Sequence, residues 1–308
     1  MCTAYIAVGY ACNQKCSFCP CSKKLKQMSH IPLDRMLKTI DEFCQQGITH
    51  LVVSGGEPTI YPYFIEMIKY AIEKGLYINV LSNAERLSDK EFIGRLDQLP
   101  DHSKITFTTT IHSQNPSEHE SINHSPGSFL RSIEGLKNLL DIGINVIVKH
   151  CITALNYKEL LDFYEYITSV FPESVSIQFC SIDFCGMDES DKESQKIIYP
   201  QLKPYFEKMF DKYMADKKNG SERHIYCIYM PFCSCDPFYW QFLTRRSSNY
   251  SRYAAPSESE NSQLTFKPNE DIGTFSGECQ ICKVKDICPG TYLSAFEIYG
   301  DEIFKRYE

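Results

Sequence analysis

Hydrophobic positions along the chain recur with two alternating periods. Residues 3–10 ("TAYIAVGY") form an apolar run of strand length. Leu33, Met36, Leu37, Ile40 and Phe43 then recur with helical spacing, and Gly47 supplies a stop. "THLVVSGG" predicts a second strand and "YPYFIEMIKYAIEKG" a second helix. The alternation continues through "LYINVLSN", "SDKEFIGRLDQL", "KITFTTTIH", "GSFLRSIEGLKNLLDIG", "INVIVKHCI", "YKELLDFYEYITSVF" and "SVSIQFCSI". Six strand–helix repeats result, the last strand ending near Ser181 and followed by a helix around residues 199–217. Such repeats predict an α/β fold with a parallel sheet and helices outside it. Periodicity alone leaves open a doubly wound sheet or an incomplete barrel. In either, ligands gather where the C-terminal ends of the strands meet their loops. From residue 219 the texture changes: residues 249–263 are polar and read as loop, flanked by cysteine-rich segments. The expected organisation is therefore a core over residues 1–218 and a smaller metal-held region over residues 219–308.

Composition narrows the function classes. The chain has 308 residues, 43% of them apolar, enough for a sizeable core. A net charge of −7 argues against a nucleic-acid partner, which usually demands a basic face. No apolar run reaches the ~18 residues of a membrane span, and no signal peptide opens the chain, so a cytoplasmic protein without a membrane partner is expected. Fifteen cysteines stand out. Their odd number in a long chain favours metal ligation over a disulfide framework. Six lie within the first 44 residues and six between Cys227 and Cys288, which places candidate metal sites at both ends of the sequence.

The N-terminal group contains "GYACNQKCSFCP", with Cys12, Cys16 and Cys19 on the loop after strand one. Thiolates suit zinc, copper(I) and iron–sulfur clusters. A closed structural site takes four protein ligands, whereas a working metal keeps a position open. Three thiols can hold three corners of a [4Fe–4S] cubane and leave one iron free; completion by another thiol, such as nearby Cys21, is the structural alternative. "SGGEPT", residues 54–59, follows strand two and lies on the same rim.

This Cys-x3-Cys-x2-Cys order, with Phe18 before the third cysteine, resembles the radical S-adenosylmethionine (SAM) enzymes. The resemblance continues through "SGGEPT", "LSN", "TIHS", "PGSFLRSIEGLKNLLDIGINVIVKH" and "TALNYKEL", over about residues 3–185. It implies a partial (β/α)6 TIM-type barrel, a SAM-binding [4Fe–4S] cluster on Cys12, Cys16 and Cys19, and reductive cleavage of SAM to a 5′-deoxyadenosyl radical that abstracts a substrate hydrogen atom. It also implies that Gly55, Gly56 and Glu57 receive the SAM amino group, that Ser82 and Asn83 lie near the ribose, and that Thr110 and Arg131 help hold the carboxylate. Phe18 would pack near adenine or cluster. Lys149 and His150 alternate on strand five, so one of them faces the cavity; His112 is a weaker candidate. Cys151, Cys180 and Cys185 stand near the rim, where a thiol could return a hydrogen atom to a radical carbon; simple packing is the alternative for each.

"CQICKVKDIC" supplies Cys279, Cys282 and Cys288, and "CIYMPFCSC" supplies Cys227, Cys233 and Cys235. The first array resembles the auxiliary-cluster extension called SPASM, or its shorter form, twitch, although Tyr292 stands where that pattern places a further cysteine. At least one auxiliary [4Fe–4S] cluster is expected, on Cys279 and Cys282 with partners among the other four, and six thiols leave a second cluster open; zinc fits the same thiols. Extensions of this kind accompany enzymes that modify ribosomally made peptides by thioether or carbon–carbon crosslinking or epimerisation. The chain begins almost directly with strand one, without the N-terminal leader-binding domain of many such enzymes, which either weakens the peptide reading or implies a separate leader-peptide recognition protein. An external one-electron reductant such as flavodoxin or ferredoxin is also implied. Dehydrogenation of a small molecule such as an amino sugar is the second reading, and a non-catalytic iron–sulfur or zinc scaffold the third.

Overall fold

The computed structural model describes residues 2–21, 30–185, 187, 189–244, 252–254 and 277–308. Its strands are β1 (Thr3–Ala7), β2 (His50–Ser54), β3 (Tyr77–Ser82), β4 (Ile105–Thr110), β5 (Asn145–Cys151), β6 (Ser176–Cys180), β7 (Ile225–Ile228) and β8 (Arg252–Ala254). The helices are α1 (Leu33–Gln45), α2 (Phe64–Glu73), α3 (Lys90–Leu96), α4 (Pro116–Asn123), α5 (Ser128–Asp141), α6 (Leu160–Val170), α7 (Glu189–Ser194), α8 (Lys203–Lys218), α9 (Gly277–Gln280) and α10 (Leu293–Tyr299). The six expected strands are present. All eight run parallel in the order β7-β6-β5-β4-β3-β2-β1-β8, so each of the first six pairs with its successor.

Side-chain alternation separates an incomplete barrel from a sheet covered on both faces. One face of the strands is apolar and buried beneath the helices: Ile6, Leu51, Val53, Ile78, Val80, Phe107, Val148 and Phe179. The opposite face carries Asn79, Thr108, Lys149 and Gln178, bonded in part across strands, as where the Thr108 hydroxyl donates to Asn79 Oδ1 at 2.9 Å. A doubly wound sheet would be apolar on both faces. Here the polar face encloses a cavity, as in the concave side of a partial barrel.

The helices follow their patterns. Met36, Ile40 and Phe43 bury one stripe of α1, and Phe129, Ile133, Leu136 and Leu139 bury one of α5. α4 was not expected; Asn115 caps it by accepting from Ser117 N–H, with Pro116 at the first turn. Its low amphipathicity hid it from the hydrophobic pattern. Of the polar segment 249–263, the described residues 252–254 form β8 beside β1 rather than loop, and the remainder lies outside the described residues. No described helix is long and apolar enough to cross a membrane. The C-terminal segment is fastened to the rim by buried hydroxyls: Tyr199 lies 2.7 Å from both Ser181 and Thr291, and Ser294 Oγ donates to Asp183 at 2.6 Å.

Candidate cluster and cofactor site

The loop after β1 lies against the segment after β2. Gly56 N–H donates to Gly9 O at 2.9 Å and Glu57 N–H to Ala11 O at 2.8 Å. The fit demands glycine at both positions. A Cβ on Gly55 (φ +128°) would stand 2.1 Å from Gly9 O, and one on Gly56 2.1 Å from Ala11 O. "GGE" thus clamps the cysteine loop from one side. The end of α4 clamps it from the other, since Lys15 and Ser17 N–H donate to Asn123 O and Ile122 O.

Cys12, Cys16 and Cys19, held in this clamp, line one cavity of about 430 Å³ together with the alternative fourth thiol Cys21 and with Phe18, Gly55, Gly56, Glu57, Ser82, Asn83, Thr110, Lys149 and Cys151. Gln14 N–H points at Cys12 Sγ (3.4 Å), and Cys16 Sγ lies 4.0 Å from His112 Nε2. Phe18 packs edge-on to the His112 ring at 5.2 Å. Burial pushes the Cys12 thiol up to about 12 and that of Cys16 well above its ordinary range, while a hydrogen bond with Cys21 draws Cys19 down to about 7. Such buried thiols resist ionisation unless a cation compensates them, as a bound metal does. No three His, Cys, Asp or Glu side chains among the described residues converge on a single metal ion. A cubane makes no such demand, because each thiolate takes a separate iron. Three thiols around a cleft fit that group.

The other anticipated residues divide by role. Glu57 is buried, and its carboxylate accepts from Thr59 N–H (3.0 Å), Thr59 Oγ1 (2.6 Å), Ser82 Oγ (2.8 Å) and Asn83 N–H (2.7 Å). Burial raises its pKa despite these donors. It ties the ends of β2 and β3 together as well as lining the cavity. Arg131 does not line the cavity. Its guanidinium grips Glu85 through Nε (2.9 Å) and Nη2 (2.5 Å), and Glu85 also accepts from Gln14 Nε2 at 2.7 Å. Arg131 therefore reaches the cysteine loop through Glu85. Lys149 faces the cavity; His150 turns the other way, against Phe163 at 4.0 Å, with Nδ1 3.1 Å from Ile111 O. Cys185 is exposed, and Cys180 is buried behind Cys151.

Residues that sequence reasoning missed include Gln14, Glu85, Asp183, Tyr229 and Tyr292. Tyr229 follows β7 with φ +55°, an unusual backbone state for a bulky residue, and packs at a tilt of 43° against Tyr292, ring centroids 4.4 Å apart, at the cavity wall. The only sequence signal was Tyr292 in place of a cysteine.

The C-terminal thiols form a different site. Cys233, Cys279, Cys282 and Cys288 line a small void of about 20 Å³ walled by Phe232, Phe296, Phe304 and Tyr307. Phe232 N–H points at Cys288 Sγ and Tyr307 N–H at Cys282 Sγ, both 3.4 Å. Amide donors of this kind stabilise thiolate charge and tune cluster potential. A closed cluster takes four thiolates, one to each iron, and these four thiols line one void. Cys227 and Cys235 do not line this void; Cys227 is buried in β7, and burial together with nearby Cys235 keeps its thiol well above the ordinary range.

The sequence matches the model of the Radical SAM superfamily over residues 6–167. It is 26% identical over 167 residues to the antilisterial bacteriocin subtilosin biosynthesis protein AlbA of Bacillus subtilis, covering 54% of this chain and 37% of that protein. The chain thus spans about a third of that relative's length. It is 23% identical to the AdoMet-dependent heme synthase of Methanosarcina barkeri, over 94% of this chain and 90% of that protein. Streptococcus suis SuiB bound to S-adenosylmethionine shares the fold, with a TM-score of 0.67 at 13% identity, over 99% of this chain and 76% of that chain.

Proposed function

The chain belongs to the radical SAM superfamily, and on that premise we propose that it modifies a ribosomally made peptide by abstracting a hydrogen atom within the cavity lined by Cys12, Cys16 and Cys19. The observation that carries this reading is the placement of Cys12, Cys16 and Cys19 beside Gly55, Gly56 and Glu57 at one cavity large enough for a nucleotide. A [4Fe–4S] cluster held there supplies the electron that cleaves SAM to methionine and a 5′-deoxyadenosyl radical. Everything else is the work of the chain. Gly55, Gly56 and Glu57 form the wall that takes the amino group, Ser82, Asn83 and Thr110 supply polar contacts on neighbouring strand ends, and Phe18 covers the ring. Arg131 acts on this site by positioning Glu85 and Gln14 behind the cysteine loop. Lys149 gives the cavity a fixed cation that can anchor a carboxylate, of SAM or of substrate.

We assign Cys233, Cys279, Cys282 and Cys288 as the complete ligand set of one auxiliary [4Fe–4S] cluster. With all four corners taken, its role is electron transfer and fastening of the C-terminal region 219–308 to the barrel core 1–218. Cys227 and Cys235 are left out of that set. Thiols in this number suit the reducing cytoplasm, with a flavodoxin- or ferredoxin-type reductant and a separate leader-peptide recognition protein as partners.

The peptide reading draws on the likeness to a bacteriocin biosynthesis protein. A small-molecule reading draws on the nearly full-length match to a heme synthase. The test has two stages. Anaerobic protein, reductant and SAM yield 5′-deoxyadenosine if the family chemistry operates, and yield none if the protein is a scaffold. Co-expression with a short reading frame neighbouring the gene then shifts the mass of the encoded peptide. An unmodified peptide, with 5′-deoxyadenosine still formed, overturns the peptide reading in favour of a small molecule.

A further inference from the structure

Cys151 and Cys180 belong to neither cysteine group. They are register partners at the ends of β5 and β6, so their side chains leave the sheet on the same side. Their sulfurs lie 3.5 Å apart. Cys151 lines the cavity and Cys180 is fully buried behind it. Neighbouring strands run about 4.7–4.9 Å apart, inside the roughly 4.4–6.8 Å Cα separation that a disulfide spans. The two sulfurs are thus neighbours across the strand pair. Lys149, two residues earlier on the same face, carries its charge next to both sulfurs, and the hydroxyl of its register partner Thr110 reaches Cys151. The hydrogen bond with Cys180 and the Lys149 charge draw the Cys151 thiol down, at the expense of Cys180, which burial pushes up. Packing explains a buried cysteine. It does not explain a pair in register, one of them at the wall of a reaction cavity, with an ammonium and a hydroxyl facing them.

We propose that Cys151 and Cys180 form a dithiol hydrogen-atom donor, a role that rests on the radical chemistry proposed above. A carbon-centred radical in the cavity takes the hydrogen atom of Cys151: the S–H bond breaks, a C–H bond forms and the sulfur keeps one unpaired electron. Cys180 sulfur then bonds to it while its proton leaves to solvent. The surplus electron passes to a one-electron acceptor protein of the flavodoxin or ferredoxin class. Two thiols have become one disulfide, having released a hydrogen atom, a proton and an electron. A thioredoxin-class dithiol restores them with two electrons and two protons. The substrate class is one whose radical is quenched with a solvent-derived hydrogen, so that the product is an epimer or an otherwise redox-neutral isomer.

Two measurements test this. Phenylarsine oxide added to the cluster-loaded, anaerobic protein should bridge the peptides bearing Cys151 and Cys180, as read by peptide mass mapping, and Cys151→Ser or Cys180→Ser should lose the bridge. In D2O with SAM and dithionite alone, the 5′-deoxyadenosine formed should carry one deuterium from the exchanged thiol. Cys151→Ser should lose that label and Cys180→Ser keep it, with thermal melts showing that both variants fold. Failure of arsenic to bridge this pair in the wild type, or equal labelling in wild type and Cys151→Ser, overturns the dithiol. Absence of 5′-deoxyadenosine from every protein overturns the radical reading beneath it, which is a separate outcome.

Discussion

The two ends of the chain use one ligand type to build two unlike centres. At the N-terminal end, Cys12, Cys16 and Cys19, with Cys21 beside them on the same loop, face a cavity of about 430 Å³ whose walls come from successive strand ends. At the C-terminal end, four thiols from separated segments close on about 20 Å³ between aromatic rings, with Phe232 stacked on Trp240 at 4.2 Å. Cysteine spacing does not distinguish them, since Cys-x2-Cys occurs in both. The space left beside the thiols does. A metal centre with a free position and room in front of it can bind a reactant; one capped at every corner and walled by rings can only hold or pass electrons.

The contrast makes ordered predictions. The largest effect belongs to the open site: Cys16→Ala should reduce 5′-deoxyadenosine formation by more than the ~100-fold typical of losing an outer partner of a metal site, with iron content lower by the share of one cluster. Retained cleavage would place the working cluster elsewhere. At the closed site, Cys279→Ala combined with Cys282→Ala should remove the auxiliary iron and block turnover of substrate, yet lower SAM cleavage by less than about tenfold. A larger loss of cleavage would mean that the two centres are not separable. Gly56→Ala probes the clamp that keeps the open site open. Its new Cβ would meet Ala11 O at 2.1 Å and Tyr10 O at 2.6 Å, both backbone atoms that cannot swing aside. Overpacking of this kind costs roughly 1–3 kcal/mol, and the displaced cysteine loop should raise the KM for SAM; an unchanged melt and KM would refute the clamp.

The smallest effect concerns two buried histidines, His150 on the apolar side of the barrel and His119 on α4 behind the His112 ring. Burial pushes His150 down to about 4 from the ordinary 6.5, and His119 likewise to about 4. Between those values the unfolded chain binds more protons than the folded one. Stability is therefore full above pH ~6.5 and is lost as pH falls towards about 4. His150→Leu should flatten part of that slope in melts across this window while leaving iron content alone. An unaltered slope would show that His150 is not charged on unfolding there.

Sequence periodicity was informative where one face of an element is apolar. All six strands of the core and helices α1, α2, α5 and α6 announced themselves by Leu51, Val53, Ile40, Phe43, Leu136 and their like. It failed for α4, which is short and polar but whose end holds Lys15 and Ser17. It also failed for β7 and β8, whose three or four residues carry too few positions for a period. At the site, the family resemblance implied a SAM contact for Arg131, whereas the fold gives it Glu85 as its partner.

What the sequence alone determined is the chemistry on offer: soft thiols in a three and a six, a glycine pair beside the first group, and repeated strands that deliver both to one rim. Local pattern suffices there, because ligand type and strand–helix alternation are properties of neighbouring residues. Only the tertiary structure decided which four of the six C-terminal thiols meet, that Lys149 rather than His150 faces the cavity, and that Cys151 stands against Cys180. Those outcomes depend on register and on contacts between residues 29 to 55 positions apart or more, and such distances are closed by packing of the whole sheet, which no short window of sequence encodes.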